Sequence, residues 1–405
     1  MLRETPTAAL KIGDDILKAR VRTVEDELRA AGDAALVLYA TGSVLGNQSS
    51  THAYLRYLID FDPRNNSAML ILRPEHAPVL LTATKLHVRP RLAESRLWFH
   101  DVRHLTPPEF GEHAARILKE TVAAAARIAL IGYAEMPAPA WVALERELPG
   151  VVWDRDFARH IDKHRVCKSA LELSFHRKAA GVCDRMFEVL AEEANSDRAG
   201  YQLRASMEFA ARDAGCDYCD TWLTSGPAAD VFRYNLDETR TVPAEGDQLL
   251  AGMMLTYDGH WGHAVRTGSI GEPSAVHRAI YDVCREMFDV ALDLLKPGVD
   301  LCRVNDAMDA VLHRHYPDSE VLRTRAGHGL GYAYEDPVAS AAFPNAWEKK
   351  PAKRDAVEAR AGMLLELHPH LFVPGKGGAM IGDMVLITET DNELLTHHPR
   401  DLIEW

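Results

Sequence analysis

The sequence predicts two domains, an α/β unit followed by an α+β unit rich in strands. Three observations lead there. The chain has 405 residues, more than a single core ordinarily accommodates. From Asp14 to Gly150, segments of helical period alternate with short apolar strand-like runs, the pattern of layered α/β domains. The charged stretch DRDFARHIDKHRVCKS, Asp154 to Ser169, then breaks that alternation. The boundary is placed at Asp162, giving domains 1–161 and 162–405.

Taken in order, the first domain opens with a helix from Asp14 to Ala31, where apolar residues recur at three- and four-residue spacing. The apolar runs ALVLY, SAMLILR and APVLLTA follow as strands. A helix is expected over His113 to Ala126, then the strand RIALIGY and a helix after Pro139. The second domain begins with a long helix carrying Phe175, Ala179, Val182, Met186 and Leu190 on one face, and a second helix runs through Ala214. Strands are expected near Tyr218 and Leu249, a helix from Ser274 to Leu295 stopped by KPG, another helix to His315, and strands thereafter. NAWEKKPAKRD reads as a basic, proline-containing loop.

Composition limits the partners. Hydrophobic residues make up 47% and charged residues 26%, the balance of a soluble globular protein. The net charge of -13 is spread along the chain, so phosphates are repelled, and neither nucleic acid nor an anionic membrane is expected as a partner. A small molecule fits better. The N-terminus has no basic segment followed by an apolar one, and no apolar run is long enough to span a bilayer; the expectation is a cytoplasmic protein. Six cysteines form no disulfide framework in a chain this long. Cys216 and Cys219 make a lone CxxC, read as two half-buried thiols rather than half of a zinc site.

Four segments of the second domain concentrate polar residues beside glycine. SGPAADVFRYN ends in Phe232, Arg233 and Tyr234. GDQLLAGMMLTYDGHWGHAVRTGSIG reads as two strands joined by a turn at Asp258 and Gly259, with His260 at the turn and His263 among small residues that leave its ring approachable. RTRAGHGLGYAYEDP sets His328 between two glycines, with Tyr334 beyond, as in an active-site loop. In LELHPHLFVPG, strand alternation puts Glu366, His368 and His370 on one face and Leu365, Leu367 and Leu371 on the other. Pro369 places this strand at an edge or at its end.

In order, CKSALELSFHRKA, SG with AxxF, GD, RTGSIG, AGHGLG, GMLLELHP and GDMVLITE make the chain similar to the prolidase, methionine aminopeptidase and creatinase superfamily. The resemblance implies a catalytic domain of pita-bread fold, preceded by the α/β domain of creatinases and prolidases. In the metallopeptidases of that superfamily two aspartates, a histidine and two glutamates hold a pair of divalent cations. Carried over, those positions fall on Gly252, His263, His328, His368 and Gly382, so only the histidine survives. The motif histidine after SG falls on Phe232, and a later one lies near Tyr334. On this basis the Xaa-Pro peptidase label is set aside.

Creatinase, which uses the fold without metal, supplies the leading expectation: a non-peptidase hydrolase of a C–N bond in a small carboxylate-bearing molecule. His328 acts as general acid or base there, His263 and His368 position water or stabilise charge, and Glu366 or Asp383 orients a ring. Val265, where creatinase has a glutamate, and Phe232 argue against creatine as the substrate. Phe61 and Arg64 of FDPRNN match the pair that holds the substrate carboxylate across a homodimer. Phe232, Arg233, Tyr234, His260, Tyr334, Glu366 and His370 complete the expected substrate contacts. No cofactor is expected, with one alternative: a single divalent transition metal such as zinc or iron on His263, His328 and His368. A lyase acting on a small carboxylate, and a binding protein that has lost catalysis, also stay open.

Overall fold

The computed structural model describes residues 12–83, 97–229, 240–317, 321, 325–345 and 355–405. Two compact units emerge: Met1–Arg165 with Tyr332–Tyr334, and Val166–Gly331 with Glu335–Trp405. The division follows Arg165 rather than Ile161 because the helix Ala158–Arg165 buries Ile161, beside Phe157, in the core of the first unit.

The first unit is a six-stranded sheet built from β1 (Leu36–Thr41), β2 (Ser67–Leu72), β3 (Val79–Thr82), β4 (Val102–His104), β5 (Arg127–Ile131) and β6 (Val152–Asp154), in the order β4-β3-β2-β1-β5-β6. The central strand is apolar throughout because both of its faces are covered. Leu36, Leu38 and Ala40 join one core, and Val37 and Tyr39 the other. The opening helix spans Asp14–Ala31 and ends where Gly32 takes φ 75°. The helix expected to reach Ala126 stops at Lys119, since the chain must turn before β5 pairs from Arg127. His52–Ile59 forms a helix that periodicity does not announce, because seven of its eight residues are buried and no polar face marks it.

In the second unit, the helix Ala170–Glu193 starts at a capping box, with the Ser169 Oγ accepting from the Glu172 N–H while the Glu172 carboxylate accepts from the Ser169 N–H. Phe175 through Leu190 are buried as the spacing predicts, and with the helix Gly200–Asp213 this face covers a sheet. That sheet contains β7 (Tyr218–Gly226), β8 (Gln248–Tyr257) and β9 (His260–Ser269), continued below by β16. The β8–β9 turn takes φ 49° at Asp258 and 75° at Gly259, the left-handed pair a tight hairpin requires.

A second sheet holds β10 (Gly327–Gly329), β11 (Leu364–Leu367), β14 (Asp383–Ile387) and β15 (Asn392–Leu394), while β12 (His370–Val373) and β13 (Gly377–Met380) form a separate hairpin. β16 (Ile403–Glu404) pairs with β9. The helices Ala275–Leu294 and Leu301–His315 share a core with β11 and β14. A two-way backbone bridge between Val265 and Gly382 joins β9 to the start of β14.

Two expectations are corrected. Gly327–Gly329 is a strand rather than a loop. Glu366, His368 and His370 do not lie on one strand: β11 ends at Leu367, and β12 begins at His370 in a different sheet. Pro369 has no N–H to continue the ladder, so the chain changes partner there.

Candidate functional site

Three strand-borne segments of the second unit bring His263, His328 and His368 together. His263 sits in mid-β9 opposite Met254, on the face away from Ala264 and the helices. His328 is the centre of β10 and pairs with Glu366 of β11. His368 follows β11 directly, its backbone N–H donating to the Ala326 carbonyl at 3.0 Å. Ring centroids are 5.1 to 5.5 Å apart in all three pairs, and one ligand atom of each ring lies within 4.8 Å of the others.

His263 and His328 are 1% exposed, while His368 keeps more surface although its Nε2 is buried with no hydrogen-bond partner among the described residues. Burial, with the neighbouring rings His328 and His370 adding to it, holds His263 well below the ordinary imidazole range. His368 is lowered by the same means, with His328, His263 and His370 as neighbours. A carbonyl can only accept, so His328 Nδ1 donates to the Gly329 oxygen at 3.1 Å.

Glu366 is fully buried, with Oε1 3.9 Å from His263 Nδ1. Neither of its oxygens is hydrogen-bonded among the described residues. Burial, and next the Asp383 carboxylate, push its pKa well above the usual range against the opposing pull of Arg266. A buried carboxyl without partners is costly, and it is where a positive charge nearby would be accommodated.

Asp383 is differently placed. Arg266 donates to Asp383 Oδ1 at 2.7 Å and also to the carbonyls of Val265, Gly382, His398 and Pro399, while Thr396 donates to the same carboxylate at 2.6 Å. Asp383 is thus committed to a structural clamp and orients no imidazole, contrary to one expectation. Glu366 lies beside His263 but at 3.9 Å makes no hydrogen bond to it.

The remaining candidates divide. His370 stacks parallel on His368, 5.7 Å between centroids, and donates from Nδ1 to the His368 carbonyl, so it supports the cluster from behind. His260 lies on the opposite face of β9, stacked on Phe175 at 4.6 Å and edge-on to His176, and is a core residue. Phe61, Arg64 and Tyr334 belong to the first unit. Phe61 is buried in its core, and Arg64 holds φ 56° with its N–H on Asp62 Oδ1. Phe232, Arg233 and Tyr234 lie outside the described residues. All six cysteines are free thiols; burial pushes Cys216 and Cys219 up to about 12, so that pair is inert.

The residues do not fit the two-cation, carboxylate-rich site that the resemblance implied. Trp222, Gly252 and Val265 lie side by side across β7, β8 and β9. A Cβ on Gly252 would meet Val265 Cγ1 at 2.6 Å and Trp222 Cε3 at 3.0 Å. A Cβ on Gly382 would meet Glu366 Oε1 at 2.5 Å, Val265 Cγ2 at 2.6 Å and His368 Cβ at 2.8 Å. Val265, with Leu250, Phe372, Met380 and Trp222, forms an apolar cluster at these positions. Sequence reasoning did not find this packing role for Val265 and Trp222, which joins residues across three strands; a large residue opposite glycine was the only signal. The three imidazoles, by contrast, are a donor set suited to one transition-metal ion.

The model of metallopeptidase family M24 matches residues 174–389, a span that contains all three histidines. The Xaa-Pro dipeptidase of Pyrococcus horikoshii is 24% identical over 59% of this chain and 65% of that protein. An uncharacterised peptidase of Bacillus subtilis is 26% identical over 61% of this chain and 66% of that protein. The chain therefore spans just under two thirds of these relatives' lengths. The prolidase of Thermococcus sibiricus superposes with a TM-score of 0.78 at 20% identity, covering 97% of this chain and 100% of that one, a likeness of fold. These findings overturn the expectation of a creatinase-like non-peptidase: the relatives that carry an activity in their names are peptidases. Replacement of the family's ligand positions alters the site without naming the bond it acts on. Among the described residues no helix is long and apolar enough to cross a membrane.

Proposed function

The chain belongs to metallopeptidase family M24, and from that premise we propose that it is a hydrolase cleaving the amide bond of a small peptide-type substrate, with Xaa-Pro dipeptides as the first class to test. The observation that carries the reading is the convergence of His263, His328 and His368, their ligand atoms within 4.8 Å of one another, inside the matched region. Three buried rings have no packing reason to meet at their polar atoms. The names of the relatives supply the substrate class.

In this reading the chain supplies three imidazole nitrogen donors at fixed spacing. β9 and β10 are each hydrogen-bonded to a neighbouring strand, so His263 and His328 move little. His368, the more exposed ring, stands nearest to where substrate arrives. Trp222 packs edge-on against His263 at 5.2 Å and, with Val265, keeps water from the inner side. Purified full-length protein incubated with Ala-Pro, Leu-Pro and Met-Pro in the presence of Zn(II), Co(II), Mn(II) or Fe(II) is expected to release free proline. That release disappears in His328→Ala with the circular dichroism spectrum unchanged. Absence of proline release under every one of these conditions overturns the proposal.

A further inference from the structure

We infer that the site holds one divalent transition-metal ion, ligated by His263, His328 and His368, and that Val265 closes the space a second ion would need. The inference rests on the proposed reading only in taking this cluster as the working site.

Three observations carry it. The donor set is complete for a single ion: three imidazole nitrogens in mutual reach leave coordination positions open for water or substrate, as catalytic sites require. Imidazole suits zinc, copper, nickel or iron, whereas magnesium and calcium want oxygen.

Second, one ring is oriented from outside, as metal-binding histidines usually are. His328 Nδ1 is committed to the Gly329 carbonyl. Glu366 Oε1 stands 3.9 Å from His263 Nδ1, close enough for the two groups to interact electrostatically though not to hydrogen-bond. The carboxyl of Glu366, without hydrogen-bond partners among the described residues, gains a nearby positive charge when an ion binds. His368 Nε2 is likewise buried and unbonded among the described residues.

Third, room for a second ion is gone. One side chain, Val265, approaches within 2.6 Å of where a Cβ would stand on both Gly252 and Gly382. The apolar cluster around it offers no carboxylate or imidazole, and its single heteroatom of ligand type, the Met380 thioether, is a soft donor unlike the oxygens of a two-cation site. Asp383, another carboxylate nearby, is held by Arg266 and Thr396.

The test counts ions directly. Full-length protein, stripped with a chelator, is titrated with Zn(II) or Co(II), and bound metal is measured by inductively coupled plasma mass spectrometry. One ion per chain is expected, unaffected by a large excess of Mg(II). His263→Ala, His328→Ala and His368→Ala each lose the ion, and His260→Ala, on the other face of β9, keeps it. Should the three variants misfold, pulsed paramagnetic resonance of the Cu(II)-loaded wild-type chain counts coordinated imidazoles, and three are expected. Two ions per chain, none, displacement by Mg(II), or fewer than three imidazoles overturns the inference. Proline release is assayed on the same samples. A chain that binds one ion but cleaves no dipeptide retains this inference and refutes the hydrolytic reading; cleavage with two ions, or with none, does the reverse.

Discussion

Arg266–Asp383 and the three-imidazole cluster lie within one unit, both nearly fully buried, yet they answer opposite needs. Arg266 is 1% exposed and donates to one carboxylate and four carbonyls, and its partner Asp383 is also held by Thr396. At the cluster, His368 Nε2 and both Glu366 oxygens have no hydrogen-bond partner among the described residues. Burial of polar groups is common to both regions; how far their bonding is met separates them, since at the clamp only Asp383 Oδ2 lacks a hydrogen-bond partner among the described residues, and it keeps Arg400 at 3.6 Å. A largely satisfied buried network holds a fold together, and an unsatisfied one marks a place prepared for something else.

The contrast breaks most visibly at the clamp. Arg266→Ala leaves Asp383 buried beside its lost partner and is expected to destabilise the protein by about 3–5 kcal/mol, measured by urea unfolding at pH 7. A loss under about 1 kcal/mol would show that the clamp is not structural. At the cluster the balance is reversed. His368→Ala is expected to lower dipeptide turnover at least about a hundredfold, equivalent to about 2.7 kcal/mol of transition-state stabilisation, while shifting the unfolding midpoint little. Equal damage to stability and turnover would erase the distinction between the two regions.

A half-satisfied ring sharpens it. His176 donates to the Trp261 carbonyl at 2.9 Å while its Nε2 has no partner among the described residues, and burial holds its pKa down to about 4. The unfolded ring titrates near its ordinary value, so between about 6.5 and 4 the unfolded chain binds the proton first. Stability that is full at pH 7 is lost as pH falls through this window, by about 2 kcal/mol at pH 5, and His176→Gln should flatten that slope in denaturation curves.

The smallest effect is expected at Glu27, at the surface of the first unit. Despite burial, hydrogen bonds from Lys163, His164 and His160 hold its carboxylate down to about 2. The contribution is present above its ordinary range and lost as pH falls toward 2; solvent screening keeps it below about 1 kcal/mol. Glu27→Gln at pH 7, measured by the same unfolding assay, should cost no more than this.

Most of the architecture was legible. Alternation marked β1, β2 and β5, helical spacing marked Ala170–Glu193, and the Asp258–Gly259 turn followed from residue type. The family resemblance places His263, His328 and His368 at one cleft, and their ligand atoms do lie within 4.8 Å of one another. Two things were not legible. The change of sheet at Pro369 depends on which strand receives His370, a choice made by partners distant in sequence. The contact among Trp222, Gly252 and Val265 spans three strands, and no local window contains it. The loss of the carboxylates is legible in sequence, whereas the bond the site acts on is not, because ligand type does not name a substrate.

That three-strand contact also limits how the site can change. A Cβ at position 252 meets Val265 Cγ1 at 2.6 Å, and one at position 382 meets Glu366 Oε1 at 2.5 Å and Val265 Cγ2 at 2.6 Å, so neither position admits an acid while Val265 keeps its place. Shrinking Val265 alone opens a void in an apolar cluster. Each single step toward a carboxylate site is uphill, and the packing therefore works as a ratchet: with Val265 between two glycines, such a ligand set could be reached only by several changes made together.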